Sequence, residues 1–278
     1  MRSILVTVDD TPSAAAARRI ALGLARRMGA SIKGVVGIDV SDLEGGEPAP
    51  IGAMRYAQDR RRHRAKVAYE RRARVAEMPQ SFVQSCAAAG VEAHCHTIDG
   101  DIAAELLRAI ETADMVVTGQ DTEFHLEASD EVSPLVEHIV ARGCRPVLVT
   151  GTEAPEEGPV VVAYDGSVPA AKALQLAVLL GVFGSSPARV VSVYPGDEAF
   201  EAATRARDYL VLHGITADIE AITSSDHPAD VLRAHAESVH ARMLVMGAFG
   251  HRGLQEILFG SSTRRLLHGI SVPLFIYH

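Results

Sequence analysis

The chain repeats itself, and that repeat limits its possible folds more than any other feature. A β-branched apolar run ending in Asp occurs twice, as Ile4-Leu5-Val6-Thr7-Val8-Asp9 and as Val160-Val161-Val162-Ala163-Tyr164-Asp165. Each is followed by a short polar turn with Pro and then an Ala-rich helical stretch, near 13–28 and 168–181. The repeat returns at the far ends: Cys144-Arg145-Pro146-Val147-Leu148-Val149 parallels Ser271-Val272-Pro273-Leu274-Phe275-Ile276. Proline, which has no N–H to donate, is tolerated where a strand begins. Between the halves, Thr150-Gly151-Thr152-Glu153-Ala154-Pro155-Glu156-Glu157-Gly158 is rich in turn formers and acids and reads as a linker. The 278 residues suffice for two domains of ordinary size, placed at 1–151 and 158–278.

Within each half, apolar runs alternate with helical patterns. Strands are expected near 3–9, 32–40, 91–99, 115–119 and 146–150, then near 159–165, 189–195, 216–223, 242–247 and 272–277. Helices are expected near 101–113 and 228–240, with a long one over 54–89 answered by a shorter one over 197–213. Continuous runs such as Met243-Leu244-Val245-Met246 suit strands buried on both faces. The pattern predicts an α/β chain of two tandem doubly wound domains, each a five-stranded mostly parallel sheet with helices on both faces.

An open parallel sheet binds ligands beyond the carboxyl ends of its strands, where the strand order reverses. The stretch leaving the fourth strand of the second half runs from Met246 to Thr263. Gly247 and Gly250 let a ligand approach the main chain, whose N–H groups can cup an anion. Gly260-Ser261-Ser262-Thr263 opens a helix, whose unpaired N–H groups and partial positive charge favour phosphate. Asp165 would face this loop across the crevice. His251 and Arg252 lie beside the expected phosphates and would neutralise their charge. Each feature alone has a bland reading, as turn, cap or turn starter; together they specify a site. The segment contains neither a Walker loop nor a Rossmann fingerprint.

The spacing Gly247-x2-Gly250-x9-Gly260-Ser261 resembles the ATP-binding signature of the universal stress protein family. The strand-one Asp and the Pro-initiated last strand resemble that family too, once per half. The resemblance implies an ATP site in the second half, with Mg²⁺ accompanying the phosphates. Ala163, Asp165 and main chain near Val193 would face adenine and ribose. Gly247, Gly250, Gly260, Ser261, Ser262 and Thr263 would hold the phosphates, with Met246, His251 and Arg252 also in the nucleotide site. The implied role is a stress-response sensor or adaptor with an unidentified protein partner. The rivals are a slow ATPase or other nucleotide-using enzyme, and a non-binding interaction module. The resemblance further implies that the halves pair through their last strands, and it leaves a homodimer of the whole chain open.

The corresponding stretch of the first half keeps only Gly119. Thr122 stands at the second glycine position, Ser133 aligns with Gly260, and Asp121, Glu123, Glu127, Asp130 and Glu131 oppose polyphosphate. That half is expected not to bind ATP, and Asp9 is expected to be structural.

The remaining signals are weaker. Cys86, His94, Cys95 and His96 invite a zinc reading, but His94 and His96 share one strand face while Cys95 points to the other. Arg60-Arg61-Arg62-His63-Arg64-Ala65-Lys66 reads as the solvated face of a long helix, the alternative being an acidic partner or membrane surface. A net charge of −8 argues against nucleic-acid binding. No apolar run is long enough to cross a membrane, and three scattered cysteines fit a reducing cytoplasm. No catalytic motif for hydrolysis is found, so an enzymatic role has little support.

Overall fold

The computed structural model describes residues 1–38, 54–122, 124, 132–193, 197–248, 261–269 and 271–278. Residues 44–50, which the sequence reads as a loop, and Gly250, His251, Arg252, Gly260, Glu123, Glu127, Asp130 and Glu131 lie outside the described residues.

The first half runs β1 (Ser3–Thr7), α1 (Pro12–Met28), β2 (Ser31–Ile38), α2 (Met54–Ala88), β3 (Ala93–Asp99), α3 (Ile102–Glu111), β4 (Met115–Gly119), α4 (Pro134–Arg142) and β5 (Val147–Thr150). The second half repeats it as β6 (Val160–Ala163), α5 (Val168–Leu179), β7 (Ala188–Val193), α6 (Asp197–Leu212), β8 (Ala217–Ile222), α7 (Pro228–Ser238), β9 (Met243–Gly247), α8 (Ser261–His268) and β10 (Leu274–Tyr277). Helices begin where side chains can cap them. Thr11 accepts from Ala14 N–H and Ser167 from Ala170 N–H, and Asp101 accepts from Ala104 N–H.

The two expected sheets join through their last strands into one, as the resemblance implied. Its ten strands lie in the order β3-β2-β1-β4-β5-β10-β9-β6-β7-β8. Each half is parallel throughout, and β5 and β10 join the halves as an antiparallel pair, with Leu274 opposite Val149 and Ile276 opposite Val147. The central strands are buried on both faces: Ile4, Leu5, Val6, Val116, Val161 and Phe275 are fully covered. The outermost strands, β3 and β8, are largely exposed.

Alternate residues feed two apolar layers, each spanning both halves. Ile4 and Val6 join Leu24 of α1, Phe82 of α2 and Leu174 of α5 on one face. Leu5 joins Leu106 of α3, Ile139 of α4, Leu232 of α7 and Leu267 of α8 on the other. The basic run 60–66 lies within α2, where Arg62, His63 and Lys66 are exposed and Lys66 pairs with Glu70 at 3.7 Å. Pro79 sits inside this helix of 35 residues without ending it.

Candidate nucleotide site

Strand registers match the halves rung by rung. Ile4 pairs with Ile32 and Met115, as Val160 pairs with Ala188 and Met243. Thr7 therefore corresponds to Ala163, Asp9 to Asp165, Gly37 to Val193, Thr118 to Met246 and Gly119 to Gly247. In each half the order reverses at strands one and four, β1/β4 and β6/β9. In the second half the switch point lies between β6 and β9.

In the second half, Asp165 Oδ1 accepts from Ser167 N–H at 2.9 Å, a turn that launches α5. The Asp165 side chain is exposed. Ala163 and Val193 are half-buried at the carboxyl ends of β6 and β7, and Met246 is buried near the end of β9. Gly247 presses on the first turn of α5, where a Cβ would lie 2.8 Å from Ala170 Cα and closer still to its N. Ser261 opens α8, Ser262 is half-buried and Thr263 is 1% exposed. β9 and β10 are parallel neighbours, so α8 between them runs back against the strands. Its N-terminus thus lies at the carboxyl edge, with Gly247 and Asp165. Sequence reasoning missed two further side chains here. Tyr164 is half-buried, and burial raises its hydroxyl pKa against the pull of Arg205. Arg205 of α6 reaches to within 3.6 Å of a Cβ built on Gly166. Its signal was weak, because an arginine in a polar helix reads as solvated. A cleft of about 10 Å³ among Arg233, Leu244, Leu266 and Leu274 lies at the amino ends of β9 and β10, away from this edge.

The first half differs at nearly every matching rung. Thr7 Oγ1 donates to Thr118 Oγ1 at 2.8 Å and lies 3.4 Å from Thr122 Oγ1. Ser13 Oγ donates to Asp121 Oδ1. Asp9 Oδ1 accepts from both Thr11 N–H and Thr11 Oγ1. Its Oδ2 is buried without a partner among the described residues. Burial raises the Asp9 pKa, bonds from Thr11 and Thr122 oppose that, and Asp121 adds to the rise. The sequence reading had Asp121 opposing phosphate; the structure turns it inward onto Ser13, 8% exposed.

The zinc reading finds no support in the geometry. His94 and His96 are exposed on the outer face of β3, whereas Cys95 faces Gly34 and Phe82. Among the described residues no group of three or more His, Cys, Asp or Glu could hold a metal.

The chain is a paired, doubly wound α/β protein, and in open sheets of this kind ligands bind beyond the carboxyl ends of the strands. The model of the universal stress protein family matches residues 1–127 and 158–278, so the chain belongs to that family, with one copy in each half. It is 25% identical over 167 residues to universal stress protein Slr1230 of Synechocystis; the match spans 59% of this chain and 58% of that protein's length. A universal stress protein of Archaeoglobus fulgidus DSM 4304 shares the fold with a TM-score of 0.70 at 18% identity, over 99% of this chain and 97% of that one. A putative universal stress protein of Pseudomonas aeruginosa UCBPP-PA14 does so with a TM-score of 0.60 at 17% identity, over 99% and 92%. No described helix is long and apolar enough to cross a membrane.

Proposed function

We propose that the second half binds ATP at the carboxyl edge of β6 and β9 and that the chain acts as a stress-response sensor or adaptor. One observation carries this reading: the start of α8, Gly247 and the exposed carboxylate of Asp165 share one edge of the sheet. Free amides at the start of α8 favour phosphate. Asp165, beside the half-buried Ala163 and Val193, suits the ribose hydroxyls and the base. Gly250, His251, Arg252, Gly260, Ser261, Ser262 and Thr263 complete the phosphate side in this proposal. Mg²⁺ would travel with the phosphates, keeping its waters, rather than sit in an all-protein cage.

Mass spectrometry of small molecules released from the purified chain tests the ligand class; an adenine nucleotide is expected. At about 100 times its dissociation constant, a ligand of the folded state stabilises by about 2.7 kcal/mol. A thermal melt with Mg-ATP should therefore shift upward. An unchanged melt would leave only the interaction module. Sustained turnover of labelled ATP at ~1 s⁻¹ or faster would favour an enzyme instead. Light scattering tests the homodimer that belongs to the same reading.

A further inference from the structure

The first half covers its own crevice. Sheet order places β2 beyond β1 from β4, so a segment leaving β4 can reach β2 only by crossing the carboxyl end of β1. Its described residues Thr122 and Phe124 stand on the two sides of that crossing. Thr122, fully buried, sits at the end of β1, its Oγ1 3.4 Å from Thr7 Oγ1. Phe124, 5% exposed, then lies against Gly37, the next-to-last residue of β2, in the same apolar cluster as Val35, Ile98 and Ile102. A Cβ on Gly37 would fall 2.9 Å from Phe124 Cε2 and closer still to Cγ and Cδ2. The ring therefore needs glycine at this rung. Phe124 holds φ at 57°, a left-handed conformation that bulky residues adopt only when packing imposes it.

The second half lacks both parts of this latch. Val193 stands at the rung of Gly37, and Arg252 at the place of Phe124 counted from the ends of β4 and β9. Ala163 and Pro169 replace Thr7 and Ser13, which hold Thr122 and Asp121 in the first half.

We infer that Phe124, seated on Gly37, is the specificity-determining residue that closes the first-half crevice and leaves the chain one nucleoside site. This rests on the proposed site at the matching rungs of the second half. Two variants of the full chain attack opposite sides of the latch. Phe124→Gly removes the ring and suits the left-handed backbone. Gly37→Val supplies the residue of the matching rung and evicts the ring. The probe is adenosine, which carries no phosphate for the acids of the first half to repel. Calorimetric titration should give one binding event in the unaltered chain and two in either variant. Should one variant fail to fold, the other reads the same quantity. One event in both variants, or two in the unaltered chain, overturns the latch. No event in the unaltered chain but one in a variant keeps the latch and removes the second-half site. No event anywhere removes both.

Discussion

Asp9 and Asp165 stand on the same rung and make the same turn bond, to the N–H two residues on. One is tucked under its neighbours; the other faces water. Burial raises the pKa of Asp9 in the folded state, so the fold favours its protonated form. Its contribution to stability is present at low pH and lost as pH rises through the folded pKa. Asp9→Asn should therefore stabilise the chain at neutral pH and flatten this part of the pH profile, as urea melts at several pH values would read. Thiol reactivity separates the cysteines in a similar way. Burial, with Cys86 adding, pushes the Cys95 thiol up to about 12, while Cys144 is exposed. Iodoacetamide at mild alkaline pH should label Cys144 first, and peptide mass mapping checks the order. Glycine carries a further lesson. Gly119 survives in a half that has lost the rest of the motif because a Cβ there would lie 2.8 Å from Ala14 N. Gly247 meets α5 in the same way. Both belong to helix–strand packing as well as to any ligand, so Gly119→Ala should cost stability, about 1–3 kcal/mol by overpacking.

At the level of elements, periodicity and punctuation located every described strand, and every described helix except α4, to within a few residues. The reason is physical. Central strands such as β1 and β9 must be apolar throughout, and helices such as α1 and α5 open on a side-chain cap after a fixed turn. Ser133 was legible only as the counterpart of Gly260. It is in fact the fully buried cap of α4, accepting from Leu135 N–H at 3.1 Å. Ser133→Ala removes only the capping hydroxyl. That change should cost about 1 kcal/mol and leave ATP affinity unaltered. The crossing of Thr122 and Phe124 was not legible. It depends on a contact between β2 and a loop 87 positions later, and a phenylalanine among acids has no periodicity to betray it.

On the scale of the whole molecule, the family resemblance implied two sheets joined by their last strands, and the antiparallel β5–β10 pair makes them one. Both apolar layers run across the seam, and Glu137 of α4 meets Arg264 and His268 of α8 at 3.4 and 3.2 Å. The halves should unfold together, in one calorimetric transition. Phe275 is fully buried on the seam strand, and Phe275→Ala should lower stability by about 3–5 kcal/mol for the whole chain, without freeing one half first. The asymmetry between two matched halves is the central claim. Titration calorimetry of Mg-ATP into the full chain and into Gly260→Glu tests it most directly. The account predicts one equivalent bound by the unaltered chain and none by the variant, with both folded by circular dichroism. Wild-type affinity in Gly260→Glu would contradict it.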